Sequence, residues 1–73
     1  MGVRGSPAGA ERFEAFIAEF GERAFQVAYR LSDNVEEAKE IVQEAFVRLW
    51  RNWEDVGASR TPDSWFFTVL RNI

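Results

Sequence analysis

Hydrophobic residues between positions 35 and 53 follow helical spacing on two faces of one predicted helix. At about 100° per residue, the first stripe is the face that an amphipathic helix buries. It consists of Val35, Ala38, Val42, Ala45, Phe46, Leu49 and Trp53. The second stripe, roughly a third of a turn away, consists of Glu36, Glu40, Gln43, Val47 and Trp50. A solvated face has little reason to carry Val47 and Trp50, whereas an aromatic anchor beside a few polar groups is typical of protein interfaces. The pattern therefore predicts a helix that binds another protein.

A longer amphipathic helix precedes this one and runs from about Glu11 to Leu31. Its apolar stripe keeps phase across Gly21. The predicted core residues are Phe13, Phe16, Ile17, Phe20, Ala24, Val27, Ala28 and Leu31. Phe25 and Tyr29 lie off this stripe, where they either pack against a further helix or belong to a partner surface. Residues 1–10 show no periodicity and are predicted to form a flexible tail.

Capping residues mark the start of the second helix. Residues 32–34 form a turn, and either Asn34 with Glu37 or Asp33 with Glu36 makes a capping-box-like start. The helix then continues to about Trp53.

A loop over residues 54–60 leads to the third helix. Thr61 suits an N-cap and Pro62 suits the first helical position. The apolar pattern then runs to Ile73 without a C-cap signal, which predicts a helix truncated at its C-terminal end. We therefore expect an all-α fold, a compact three-helix domain of residues 11–73 with short loops and an antiparallel first pair.

Composition narrows the function classes. The 73 residues contain no Cys and no His, which removes disulfides, thiolate and imidazole catalysis and the usual zinc ligands. We find no pairing of a nucleophile with a base, so we predict a protein that is not an enzyme and needs no metal or other cofactor. No apolar run suits membrane insertion and no signal peptide is recognisable, so we predict a cytoplasmic location.

Charge is distributed unevenly around a net value of −3. From Asp33 to Glu44, five acids against Lys39 give −4, whereas four Arg against three acids give +1 over residues 45–73. A domain that holds duplex DNA mainly through phosphates is usually basic. The sequence therefore predicts weak binding to duplex DNA and an acidic helix that faces a basic protein partner.

Two segments carry a family resemblance. Residues 34–51, with Val-Gln-Glu-Ala-Phe at 42–46 and Trp-Arg at 50–51, resemble the second conserved region of bacterial RNA polymerase sigma factors, most of all the extracytoplasmic-function group. Residues 62–72, from Pro-Asp-Ser-Trp to Arg-Asn, are similar to the promoter-melting segment of the same family. Together with the first helix, the resemblance covers residues 11–73.

The resemblance implies a specificity subunit of transcription initiation. Its middle helix would dock onto the coiled coil of the largest subunit of core RNA polymerase through Glu40, Gln43, Glu44, Val47 and Trp50. Four of these lie on or beside the second stripe, and Glu44 lies further round the helix. For Trp50 the alternative is core packing at a helix end.

The resemblance also implies melting of promoter DNA at the −10 element, with contacts mainly to the single-stranded non-template strand. The matching loop runs from Val56 to Thr61, Trp65 lies near the upstream edge of the melted segment, and Asn72 is the base-reading position. The helical wheel places Phe67 and Arg71 on an outward face that suits nucleic acid, although Phe67 could instead cover the first helix. The predicted DNA-binding residues are Val56, Arg60, Thr61, Trp65, Phe67, Arg71 and Asn72.

Two other functions stay open. The first is a sigma-like mimic that binds an anti-sigma factor without recognising DNA. An anti-sigma factor is an expected partner under the main hypothesis as well. The second is a generic three-helix interaction domain.

Overall fold

The computed structural model describes residues 7–73, with side chains from Gly9 onward. The helices are α1 Pro7–Ser32, α2 Val35–Arg51, α3 Trp53–Val56 and α4 Pro62–Arg71. The expected all-α fold is confirmed, and α3 adds a single helical turn within the predicted loop region. Helix α1 begins before the predicted start at Glu11. Residues 1–6 of the predicted tail lie outside the described residues.

A tight turn reverses the chain between α1 and α2. Asp33 adopts the left-handed conformation with φ 56°, and its N–H donates to the Tyr29 carbonyl at 2.7 Å, which closes the end of α1. Asp tolerates this conformation better than most residues because its short polar side chain can bond locally. Asn34 then caps α2, since its Oδ1 accepts from the Glu37 N–H at 2.9 Å. The predicted N-cap at Asn34 is confirmed.

The α1–α2 pair is antiparallel and packs through small residues. Phe13 near the start of α1 meets Trp50 near the end of α2, with ring centroids 4.8 Å apart. Four alanines on the two helices are fully buried, namely Ala24, Ala28, Ala38 and Ala45. Because alanine has the smallest side chain that still favours a helix, these positions let the two backbones approach closely.

Helix α4 completes the core with aromatic rings. Phe66 is fully buried, stacks on Phe46 at 4.6 Å between centroids, and meets the edge of Phe16 at 5.5 Å. Leu49 of α2 and Leu70 of α4 are the other largest fully buried side chains. One ring therefore joins α1, α2 and α4.

Three predicted core residues are exposed instead. Ile17, Leu31 and Val35 have relative exposures of 37%, 55% and 48%. Leu31 lies in the last turn of α1 and Val35 is the first residue of α2, so both lie next to the turn at the end of the α1–α2 pair. Phe25 packs against the core as the first alternative predicted, whereas Tyr29 is 41% exposed and stacks on Phe25 at 6.3 Å.

Helix α2 ends two residues earlier than expected. Asn52 closes it, with its N–H donating to the Arg48 and Leu49 carbonyls and its side-chain Nδ2 donating to the Arg48 carbonyl at 2.8 Å. Trp53 then starts α3. Within residues 7–73, no helix is both long and apolar enough to cross a membrane, and no group of three or more acidic residues is arranged to hold a metal ion.

Candidate functional site

The five residues predicted to bind a protein partner lie together on the outside of α2. At about 100° per residue they cover an arc of about 120°, opposite the buried residues Ala38, Ala45 and Leu49. We call Glu40, Gln43, Glu44, Val47 and Trp50 the docking face. Four of its side chains are exposed, and Glu44 is half-buried.

The apolar half of the docking face borders a shallow groove of about 420 Å³. Trp50 is 51% exposed and Val47 is 39% exposed. The Trp50 ring rests against Phe13 with an interplanar angle of 54°, so α1 fixes the position of the indole while half of its surface stays open. Phe13 follows the core spacing of α1, so its sequence position alone gives no sign that it also lines this groove.

The acidic half of the docking face is already partly paired. The Glu44 carboxylate accepts from Arg48 Nε at 2.9 Å, one helical turn further along, and both side chains are nearly half exposed. Such an exposed pair contributes only about 0.3–0.5 kcal/mol, so a stronger partner can displace it. Glu40 has no ion pair among the described residues.

Glu40 and Glu44 also line a second, larger groove of about 710 Å³. The groove lies between the end of α1, α2 and the end of α4, and Arg71 stands on its far side. The docking face is therefore continuous with the end of α4, where two of the predicted DNA contacts lie.

The predicted DNA contacts divide into exposed and buried residues. Arg60 and Thr61 lie exposed in the loop before α4, and Arg71 and Asn72 lie exposed at its end. Trp65 is half-buried and packs against the core.

Val56 and Phe67 are in the core, so the expectation that they contact DNA is corrected. Phe67 is 5% exposed, meets Phe20 at 6.1 Å, and is covered by the Arg23 guanidinium at 4.8 Å. The alternative in which Phe67 packs on the first helix is the correct one. Val56 is 8% exposed because the turn of α3 directs it inward. Both were missed because neither the contact of α4 with α1 nor the turn at α3 leaves a clear periodicity in so few residues.

Asn72 has a structural contact of its own. Its Nδ2 donates to the Thr68 carbonyl at 2.8 Å and so closes the end of α4. The amide oxygen Oδ1 has no partner among the described residues and can accept a hydrogen bond from a ligand.

The chain is similar to known proteins of one family. Residues 16–73 match the family model described as sigma-70 region 2. The chain is 29% identical over 63 residues to the ECF RNA polymerase sigma factor SigW of Bacillus subtilis. The aligned region covers 86% of this chain and 34% of SigW. It is 33% identical over 65 residues to the ECF RNA polymerase sigma factor SigL of Mycobacterium tuberculosis, covering 88% of this chain and 37% of SigL.

The chain therefore spans only about a third of the length of these two curated relatives. No solved structure matches the chain. Since the family model covers more than half of its residues, the chain belongs to the sigma-70 region 2 family, and the resemblance noted in the sequence is confirmed.

Proposed function

We propose that this sigma-70 region 2 domain binds core RNA polymerase through the docking face and helps to open promoter DNA at the −10 element. The observation that carries the proposal is Trp50, whose indole is held against Phe13 at 4.8 Å and yet is 51% exposed. Half-exposed aromatic rings fixed by their neighbours are typical energetic centres of protein interfaces. The relatives SigW and SigL are both named RNA polymerase sigma factors. The domain would act in the cytoplasm, where bacterial transcription takes place.

Each residue of the docking face has a distinct role in this proposal. Trp50 and Val47 supply apolar contact area beside the groove. Glu40 offers an unpaired carboxylate to a basic group of the coiled coil, and a bidentate bond to Arg suits it well. Glu44 exchanges its bond to Arg48 for one across the interface, while Gln43 fixes the register by hydrogen bonding.

Trp50→Ala is expected to weaken binding to the isolated coiled coil of the polymerase's largest subunit by about thirtyfold. The change removes the central ring of the contact. The dissociation constant is measured by calorimetry at fixed salt, with helix content followed by circular dichroism. Tyr29→Ala is the matched control, because Tyr29 is also a half-exposed aromatic residue but lies at the other end of the α1–α2 pair. The control is expected to stay within about twofold of wild type.

Equal affinities of the Trp50→Ala variant and wild type would remove the docking face from the proposal. If the wild-type chain does not bind the coiled coil at all, the docking face serves another protein, as in the sigma-like mimic or an interaction domain that shares only the ancestry of the family.

The DNA surface that we propose consists of Arg60, Thr61, Trp65, Arg71 and Asn72. The exposed edge of Trp65 can stack on an unpaired base, a contact that contributes about 1–3 kcal/mol per base. Arg60 and Arg71 are exposed and can bind phosphates of the strand, and the Asn72 amide oxygen can accept a hydrogen bond from a base edge. With two arginines against the acidic first half of α2, this surface suits a single strand held within a polymerase complex better than free duplex DNA.

Asn72→Ala is expected to lower the affinity for single-stranded promoter DNA by about tenfold when the chain is assembled with core polymerase. The probe is a pool of single-stranded oligonucleotides of randomised sequence, from which bound strands are sequenced. Asn52→Ala is the matched control, because Asn52 also donates its Nδ2 to the carbonyl four residues earlier at 2.8 Å. If both variants lose the same affinity, the loss comes from the helix caps and Asn72 does not read a base.

The mimic hypothesis gains one observation from the structure. With Val56 and Phe67 buried, the DNA surface is smaller than predicted. A wild-type chain that binds the coiled coil but selects no strand from the pool would favour this second function, in which the docking face serves an anti-sigma factor.

A further inference from the structure

Arg12 connects the start of α1 to the loop before α4. Its Nη2 donates to the Gly57 carbonyl at 2.7 Å, across 45 residues of sequence, and the bond is partly buried. The guanidinium also lies over the Trp53 ring, 6.0 Å from its centroid. A hydrogen bond from a charged donor is stronger than one between neutral groups, so this contact restrains Gly57 more than a typical loop contact would.

Trp53 supports Gly57 from a second direction. Its Nε1 donates to the Gly9 carbonyl at 3.1 Å, and its ring meets the edge of Phe13 at 5.3 Å. The Gly57 backbone lies so close to the indole that a Cβ at this position would be 2.8 Å from two of the ring carbons. Gly57 is therefore enclosed between the guanidinium of Arg12 and the indole of Trp53.

The restraint on Gly57 extends to the exposed loop residues. Ser59 donates both its N–H and its Oγ to the Val56 carbonyl, at 3.0 and 2.7 Å, while Val56 is itself in the core. Only Arg60 separates this bonded turn from Thr61, which precedes α4. Few bonds in this stretch are free to rotate independently, so a displaced Gly57 displaces Arg60 as well.

The restraint on Gly57 comes in part from residues that the family model does not match, whereas Trp53 lies within the match. Gly9, Arg12 and Phe13 all precede residue 16, where the match begins. Loop residues within the matched region are thus held in part by side chains and backbone outside it.

We propose that Arg12 is a positioning residue that sets where Arg60 and Thr61 stand against the melted DNA strand. The inference rests on the proposed promoter function of the loop. In this proposal Arg12 needs no contact with the DNA, because its Nη2 bonds the Gly57 carbonyl and its guanidinium lies over the Trp53 ring. It acts through the backbone of Gly57.

The test compares Arg12→Met, Arg12→Lys and Arg30→Met with the wild-type chain. Methionine keeps an apolar stem over Trp53 and removes the donor, whereas lysine keeps a charged donor. Arg30 is the matched control, since it is an exposed arginine near the other end of α1. Amide hydrogen exchange of Gly57 and Ser59 measures the restraint directly, and selection from the randomised single-stranded pool on core polymerase measures its consequence.

Arg12→Met is expected to speed exchange at Gly57 and Ser59 by about tenfold and to reduce the enrichment of the preferred strand by a similar factor. Its affinity for the polymerase coiled coil stays within about twofold of wild type, which a general loss of structure would not allow. Arg12→Lys is expected to restore most of the slow amide exchange and most of the strand enrichment. Arg30→Met is expected to match wild type in both measurements.

Three results would overturn the proposal, and they are distinguishable. Unchanged amide exchange in Arg12→Met means that the hydrogen bond from Arg12 to Gly57 does not hold the loop. Faster exchange with wild-type strand preference means that the loop is held but that its position does not matter for DNA. If the wild-type chain selects no strand, the proposed promoter function fails and the positioning role of Arg12 fails with it. The exchange data then still show whether Arg12 restrains Gly57.

Discussion

Phe66→Ala is expected to cost about 3–5 kcal/mol of the free energy of unfolding. The Phe66 ring is fully buried. It stacks on Phe46 of α2, meets Phe16 of α1 and lies beside Phe67 with ring centroids 5.1 Å apart. Removing it leaves a cavity where three helices meet. A domain of this size has a total stability of roughly 4–11 kcal/mol, so the variant would lose a large share and melt about 15 °C or more below wild type.

Urea unfolding followed by circular dichroism measures this loss. Phe66→Leu keeps most of the apolar volume and is expected to lose less, which keeps the comparison measurable if the alanine variant does not fold. Tyr29→Ala is the control, because an exposed ring on the same protein should cost no more than about 1 kcal/mol. Equal losses for Phe66→Ala and Tyr29→Ala would show that the stacked rings do not hold the three helices together.

The helices and the N-cap of α2 could be predicted because their determinants are local. Asn34 and Glu37 are three residues apart, and the cap they form is the same in any fold that contains this helix. Pro62 likewise marks the start of α4 wherever that helix packs. The exposure of Val47 and Trp50 was predictable for a related reason, since both lie outside a core stripe that was already complete.

The residues that were assigned wrongly depend on tertiary packing. Helix α4 contacts both α1 and α2, so its buried surface is wider than one stripe and includes Phe67. Val56 turns inward because α3 forms, and a single helical turn is too short to show a period of 3.6 residues. The contact between Arg12 and Gly57 spans 45 residues, and no local pattern marks it.

Gly57→Ala is expected to destabilise the domain by about 1–3 kcal/mol and to displace the loop before α4. The backbone conformation is ordinary for any residue, with φ −63° and ψ −26°, so the effect comes from space alone. A Cβ would lie 2.7 Å from the Trp53 carbonyl oxygen and 2.8 Å from the indole carbons Cδ2 and Cε2. The indole cannot yield easily, because Phe13 and Phe16 pack against its ring and its Nε1 is bonded to the Gly9 carbonyl.

Gly21→Ala provides the opposite case on the same chain. Nothing lies within 4 Å of a Cβ at Gly21, which is in the middle of α1. Alanine there restricts the unfolded chain and favours the helix, so this variant is expected to gain about 0.5–1 kcal/mol. Urea unfolding of the two variants therefore gives shifts of opposite sign, and only Gly57→Ala speeds amide exchange at Ser59. If Gly57→Ala is as stable as Gly21→Ala, the indole gives way at little cost and the loop is not fixed by Trp53. If Gly57→Ala is less stable and also speeds exchange at Ser59, the space that Gly57 leaves for the Trp53 indole is needed to hold the loop with Arg60 and Thr61 in place.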